Sequence, residues 1–144
     1  LKNIDGSCLW YSAAVVRNEG GYASQLAYNY HKTPALQPLM PFLDAEAPKK
    51  VKGLKARWMP DGYYLFWREP KAKSELDVAK AYVVYRFAKG EDVDLERAEN
   101  IVAITSQTLL KLPYHHGTER YKYVVTALDR LHNESKPVSK KVKL

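Results

Sequence analysis

From residue 49 onward the chain is cut into short stretches that alternate apolar and polar side chains, each closed by turn residues, and this rhythm decides what it can fold into. A period of two sends successive side chains to opposite faces, as a strand requires and a helix does not allow. Residues 52–58 form the first such stretch, and Pro60, Asp61 and Gly62 supply a turn. Residues 63–68 (YYLFWR) then place Leu65 and Trp67 on one face. Residues 79–88 (AKAYVVYRFA) follow a polar loop and carry Tyr82 and Val84 on one face, before Lys89-Gly90-Glu91-Asp92 turns the chain. Residues 94–99 suit a single helical turn, and 101–105, 108–112 (ending at Leu112), 120–128 and 138–144 complete seven strands. In 120–128 the period is clearest, with Tyr121, Tyr123, Val125 and Ala127 on the inward face. Short alternating strands between turn signals predict a mainly β, antiparallel sandwich.

The first 48 residues read differently. Residues 7–16 (SCLWYSAAVV) are a near-continuous apolar run, the pattern of a strand covered on both faces. After Arg17-Asn18-Glu19-Gly20-Gly21, Tyr22, Leu26 and Asn29 or Tyr30 recur at helical spacing, flanked by Ala23 and Ala27, until Pro34 and Pro38 end the pattern. A strand, a turn and an amphipathic helix make one β/α unit, which cannot bury both its faces alone. The expected organisation is therefore a β/α unit and linker over 1–48, and a sandwich over 49–144. The chain opens LKNID, without Met, and is expected to be a piece of something longer.

Composition narrows the classes. At 46% hydrophobic and 12% aromatic, the 144 residues suit a globular chain with one full core and a partial second unit. No apolar run approaches the roughly 20 residues that span a bilayer, and no signal-peptide pattern is present. The single cysteine, Cys8, excludes an internal disulfide and suits a buried thiol within its apolar run. Residues 1–48 carry three basic and four acidic groups, whereas 49–144 carry 20 basic and 12 acidic ones, a net +8. Lys49, Lys50, Lys52, Lys55 and Arg57 form one basic cluster; Lys136, Lys140, Lys141 and Lys143 form another. Such stripes attract nucleic acid or anionic glycans. Lysines on edge strands also serve to blunt edge-to-edge pairing. No recognition helix or aromatic RNA-binding motif accompanies the charge, so no nucleic-acid partner is expected.

Four stretches carry a resemblance: Leu65-Phe66-Trp67 with Pro70, Tyr82-Val83-Val84-Tyr85-Arg86, Tyr121 to Asp129 (YKYVVTALD), and Asn133-Glu134-Ser135. Together they resemble a bacterial fibronectin type III domain, an immunoglobulin-like sandwich of seven strands and about 100 residues. The resemblance implies that Trp67 fills the core. It implies also that Tyr121 makes the tyrosine-corner hydrogen bond back to the backbone, and that 133–135 turn the chain into its last strand. More narrowly, TPALQPLMPFLD ahead of such a module resembles the C-terminal end of bacterial glycosyl-hydrolase-like proteins of the family-ten-like group, which carry a (β/α) barrel. That likeness implies that 1–48 are the barrel's last β/α unit, that the preceding barrel is the sandwich's partner, and that the protein is exported to the periplasm or cell surface.

Candidate chemistry is sparse. Glycoside hydrolysis usually needs two carboxylates about 5–9.5 Å apart, supplied in barrels by the ends of several strands. Glu19, alone in its turn, supplies one, so no catalytic residue is assigned and the fragment is not expected to be an enzyme. His115 and His116 are adjacent and in extended chain point apart, which suits a polar turn rather than a metal site. Asp92, Asp94 and Glu96 alternate like the start of a calcium loop, but lack its Gly and distal Glu, and suit a helix N-terminus instead. No metal or cofactor is expected. Trp58, Tyr63, Tyr64 and Tyr114 are not needed for the core and are candidate ligand-facing aromatics, because sugar rings stack on exposed aromatic faces. Trp58 lies near the join, where burial against a barrel or against 1–48 is expected ahead of that role. The expected function is a structural accessory module. The alternatives are a carbohydrate-binding module acting on polysaccharide and a fragment that contributes to the parent's active site. Exposed Leu9, Trp10, Val15, Tyr22 and Leu26 would also favour a homodimer through residues 1–48.

Overall fold

The computed structural model of the chain describes residues 12–144. It falls into two compact units that meet between Pro34 and Ala35. The first contains helix α1 (Ser12–Val16) and helix α2 (Tyr22–Asn29). The expected strand over 7–16 is therefore corrected over its second half: residues 12–16 are helical. Cys8, Leu9 and Trp10 lie outside the described residues. An apolar run alone does not distinguish a buried strand from a helix, and here Arg17 N–H closes a helical hydrogen bond on the Ala13 carbonyl at 2.9 Å. The strand on which pairing between two copies was expected to rest is thus a helix where it is described. Asn18, at φ 51°, reverses the chain and its carboxamide caps Ser24, accepting from the Ser24 N–H at 3.1 Å and donating to its hydroxyl at 2.9 Å.

The second unit is a sandwich of two antiparallel sheets. Its strands are β1 (Lys52–Met59), β2 (Gly62–Arg68), β3 (Ala81–Ala88), β4 (Ile101–Thr105), β5 (Leu109–Leu112), β6 (Arg120–Leu128) and β7 (Val138–Lys143). One sheet has the order β1-β2-β5 and the other β4-β3-β6-β7. Between them lies the main core, where Leu65, Trp67, Tyr82, Val84, Leu112, Tyr123, Val125 and Ala127 are buried, joined by Val51, Val142 and Leu144. Trp67 and Tyr82 meet edge to face at 5.5 Å, the arrangement that the ring quadrupoles favour.

A second cluster lies on the opposite face of the four-stranded sheet. Val83, Tyr85, Phe87, Ile101, Val124 and Leu128 are buried there beneath Leu36, Leu95 and Ala98. Residues 35–48, expected as a linker outside the sandwich, therefore include part of its cover. The helical turn expected over 94–99 is displaced to Ala98–Asn100. Asp94 instead accepts the Glu96 N–H at 3.0 Å, a local turn that competes with helix.

Tyr121 departs from the tyrosine-corner expectation. It is half-buried against the core, and its hydroxyl donates at 2.8 Å to the side-chain carboxylate of Glu119, not to a backbone carbonyl. The acceptor two residues upstream is already at hand, so the hydroxyl need not reach further back. The bond holds the Tyr121 phenol in its neutral form and raises its pKa.

Burial pushes the Tyr82 phenol up to about 12, with the Glu69 carboxylate adding to the shift. A folded-state pKa above the ordinary value of 10 means that this term is fully present below pH 10 and is lost as pH rises toward 12. Stability should fall through that window by up to about 1.4 kcal/mol per pH unit from this group. Tyr82→Phe should leave the neutral-pH urea midpoint nearly unchanged and flatten the alkaline decline. An equally steep decline in that variant would assign the loss to other groups.

Candidate functional site

The β1–β2 hairpin brings the exposed aromatics together. Its register sets Trp58 opposite Tyr63 and Met59 opposite Gly62, leaving Pro60 and Asp61 as the loop. Gly62 has φ 149°, a backbone conformation that L side chains rarely adopt, so the turn favours glycine. On the other edge of β2, Tyr63 pairs with Leu112, and Tyr114 follows two residues later. Three chain segments therefore converge on one end of the sandwich.

The Trp58 and Tyr63 rings are 5.2 Å apart, Trp58 and Tyr114 are 4.7 Å apart, and Tyr63 and Tyr114 are 6.1 Å apart. His116 adds a fourth ring, 5.8 Å from Tyr114. Trp58 remains 58% exposed and Tyr114 41% exposed, while Tyr63 is half-buried on the core. The planes are tilted by 43°, 77° and 61°, so the rings form a corner rather than a coplanar row.

Tyr64 does not belong to this corner. It points to the other face of β2, where its hydroxyl donates to Asp61 at 2.5 Å and Lys111 Nζ lies 3.5 Å from the same oxygen. The Tyr64 hydrogen bond holds the Asp61 carboxyl below its ordinary range, with Lys111 assisting, and Asp61 in turn raises the Tyr64 phenol. Lys111 sits 5.7 Å over the Tyr64 ring and Arg57 4.7 Å over the Phe66 ring, so cations cover the aromatic faces on this side.

The remaining candidates are turn residues. The His115 carbonyl accepts the Thr118 hydroxyl at 2.7 Å, and His116 adopts the left-handed φ of 56°. Glu19 is exposed beside Arg17 at 3.7 Å in the first unit. Sequence reasoning missed the role of Glu134, which it treated only as part of a turn. The Glu134 carboxylate accepts from the Tyr85 hydroxyl at 2.8 Å and from the Thr126 hydroxyl at 2.5 Å, beside a recess of about 360 Å³ that His132, Glu96 and Leu36 help to line. Burial, then Glu134, push the Tyr85 phenol well up. A carboxylate held by two buried hydroxyls is an anchor rather than an acid or base. The signal in the sequence was Tyr85 and Thr126, two hydroxyl-bearing residues on the outer face beside the apolar Val83, Phe87, Val124 and Leu128.

No protein-family model matches the chain. A solved structure described as "Structure of FN3tt mut" superposes with a TM-score of 0.50 at 18% identity, covering 67% of this chain and 94% of that one. With the strand order β1-β2-β5 and β4-β3-β6-β7, that settles the fold. The sandwich is fibronectin III-like. In sequence, the chain is 30% identical over 140 residues to the protein named glycosyl hydrolase YngK from Bacillus subtilis (strain 168), an alignment over 94% of this chain. The chain spans 26% of the length of that curated relative.

The two described tryptophans of this fibronectin III-like unit should separate in a stability assay. Trp67→Ala empties the core and should cost about 3–5 kcal/mol. Trp58→Ala removes only an exposed aromatic contact and should cost about 1 kcal/mol. Denaturant midpoints check both, and equal losses would contradict an exposed corner.

Proposed function

We propose that the chain is a non-catalytic accessory module of a bacterial glycoside hydrolase, attached on the C-terminal side of a catalytic barrel. The observation that carries this reading is the alignment with a glycosyl hydrolase of which the chain spans 26%, combined with a sandwich fold that suits a non-catalytic partner. Glu96 and Glu134 line one recess, but the Glu134 carboxylate is held by the Tyr85 and Thr126 hydroxyls, which suits an anchor rather than one of the two acid and base groups of glycoside hydrolysis. The module would space and cap the catalytic domain, with export to the cell surface as the setting in which polysaccharide is met.

A second reading is favoured by one observation, the exposed Trp58–Tyr63–Tyr114 corner. In this reading the module also holds neutral sugar. An aromatic face desolvated by a sugar ring gives affinity through apolar contact.

The isolated 144-residue chain should hydrolyse no member of a polysaccharide panel. Turnover that Glu19→Gln abolishes would overturn the accessory reading. If the corner binds sugar, Trp58→Ala and Tyr114→Ala should each weaken oligosaccharide binding about tenfold in calorimetry, while each variant still unfolds cooperatively with a stability loss of no more than about 1 kcal/mol. Binding that survives both substitutions would remove the second reading and leave the first intact.

A further inference from the structure

The β6–β7 ladder places like charges face to face. Arg120 pairs directly with Lys143, and Lys122 pairs directly with Lys141, all four on the outer face of the four-stranded sheet. Lys89, one residue beyond the end of β3, adjoins them, and the five cations are among the residues that line a cleft of about 580 Å³. Directly opposed like charges destabilise an antiparallel pair, and two such pairs in succession are an arrangement that folding alone gives no reason to build. Edge protection accounts for Lys141 and Lys143, because β7 is the outer strand. It does not account for Arg120 and Lys122, which lie on the inner neighbour β6, or for Lys89.

Neighbouring acids do not neutralise the block. Glu119 accepts the Tyr121 hydroxyl, and Glu91 is engaged by Arg97, Asn100 and the Ala88 N–H. Lys122 reaches only the Glu91 backbone carbonyl, at 3.3 Å. Among the described residues none of the five cations forms an ion pair. The cleft therefore concentrates positive potential.

We propose that this cleft binds an anionic polysaccharide, whose carboxylate groups relieve the opposed Arg120–Lys143 and Lys122–Lys141 pairs. The choice of a glycan as the polyanion rests on the reading of the chain as part of a glycoside hydrolase; the anion site itself does not. Single-stranded nucleic acid is disfavoured by the cleft's own chemistry. Bases need an open aromatic face, and Tyr121, the one aromatic residue among those lining the cleft, turns its ring to the inner face of the sheet, where the Arg86 guanidinium lies 4.8 Å over it.

The test uses the 144-residue chain and polygalacturonate as probe at low salt, with dextran as the neutral glycan and single-stranded DNA as the competing polyanion. The double variant Arg120→Gln/Lys122→Gln is compared with Lys71→Gln/Lys73→Gln, which removes the same charge from a loop elsewhere. Wild type should bind polygalacturonate and not dextran, with affinity that falls as salt rises. The cleft variant should lose at least about tenfold and the loop variant less than about twofold, by the salt-screening argument that binding follows local potential rather than net charge. The cleft variant should also unfold at a temperature no lower than wild type in low salt, since it relieves repulsion; this shows that lost binding is not lost folding. No binding of polygalacturonate, or equal losses in the two variants, overturns the proposal. DNA bound as tightly as polygalacturonate overturns the assignment to a glycan. A parent protein without glycosidase activity would end the accessory-module reading while leaving a positive polygalacturonate result in place.

Discussion

The structure depends on the burial of β3 and β6 on both faces. Val84, Tyr82, Tyr123 and Val125 face the other sheet, while Val83, Tyr85, Val124 and Leu128 face outward and are buried as well. A sheet face covered only by water would leave these outward side chains exposed, each at a cost of about 1.5–3 kcal/mol. The outer row therefore needs a cover, and it is found in Leu36 from the segment before the sandwich and in Leu95 and Ala98 from the β3–β4 connection. Two loops that would otherwise be free become part of the core.

The same constraint explains the polar chemistry around the β6–β7 turn. Asp129 is buried, and its carboxylate accepts the N–H groups of Leu131 at 2.7 Å and Asn133 at 2.9 Å, and the Asn133 carboxamide at 2.9 Å. Asn133 also donates to the Asp44 carbonyl at 3.2 Å, fastening the covering segment to the turn. The Ser135 hydroxyl accepts the Ala127 N–H at 2.9 Å. Where a buried strand turns, its backbone groups lose water and need replacements. The Asn133-Glu134-Ser135 sequence supplies them, one residue to the turn, one to the outer cluster and one to the strand end.

Much of the sandwich was legible because it rests on a period of two. Leu65 and Trp67, and Tyr121, Tyr123, Val125 and Ala127, recur at every second position, and turns such as Pro60-Asp61-Gly62 mark the ends. The pattern was silent where it is not alternating. The apolar residues of 12–16 carry no period that separates strand from helix, and Ser12–Val16 is helical. Tyr121 was assigned by likeness to a backbone acceptor, yet a nearby carboxylate, Glu119, captures its hydroxyl. At the candidate site, exposure of Tyr114 followed from its being surplus to the core, whereas Trp58, expected to be buried at the join, is 58% exposed. Their meeting in one corner depends on the hairpin register and on where β5 ends, which no single stretch encodes. Tyr64 was grouped with them by type, but strand parity sends it to the other face.

An accessory module must hold its shape beside a larger domain, and a two-sided core gives it the means to do so alone. The covering segment is then part of the module rather than a tether. Thermal unfolding of two truncations, residues 35–144 and residues 49–144, measures this most directly. The account predicts that 35–144 unfolds cooperatively near the midpoint of the whole chain. It predicts that 49–144, stripped of Leu36 and the Asp44 carbonyl, melts lower by at least about 5 °C, the shift that roughly 1 kcal/mol produces in a domain of this size. Equal midpoints for the two would contradict it.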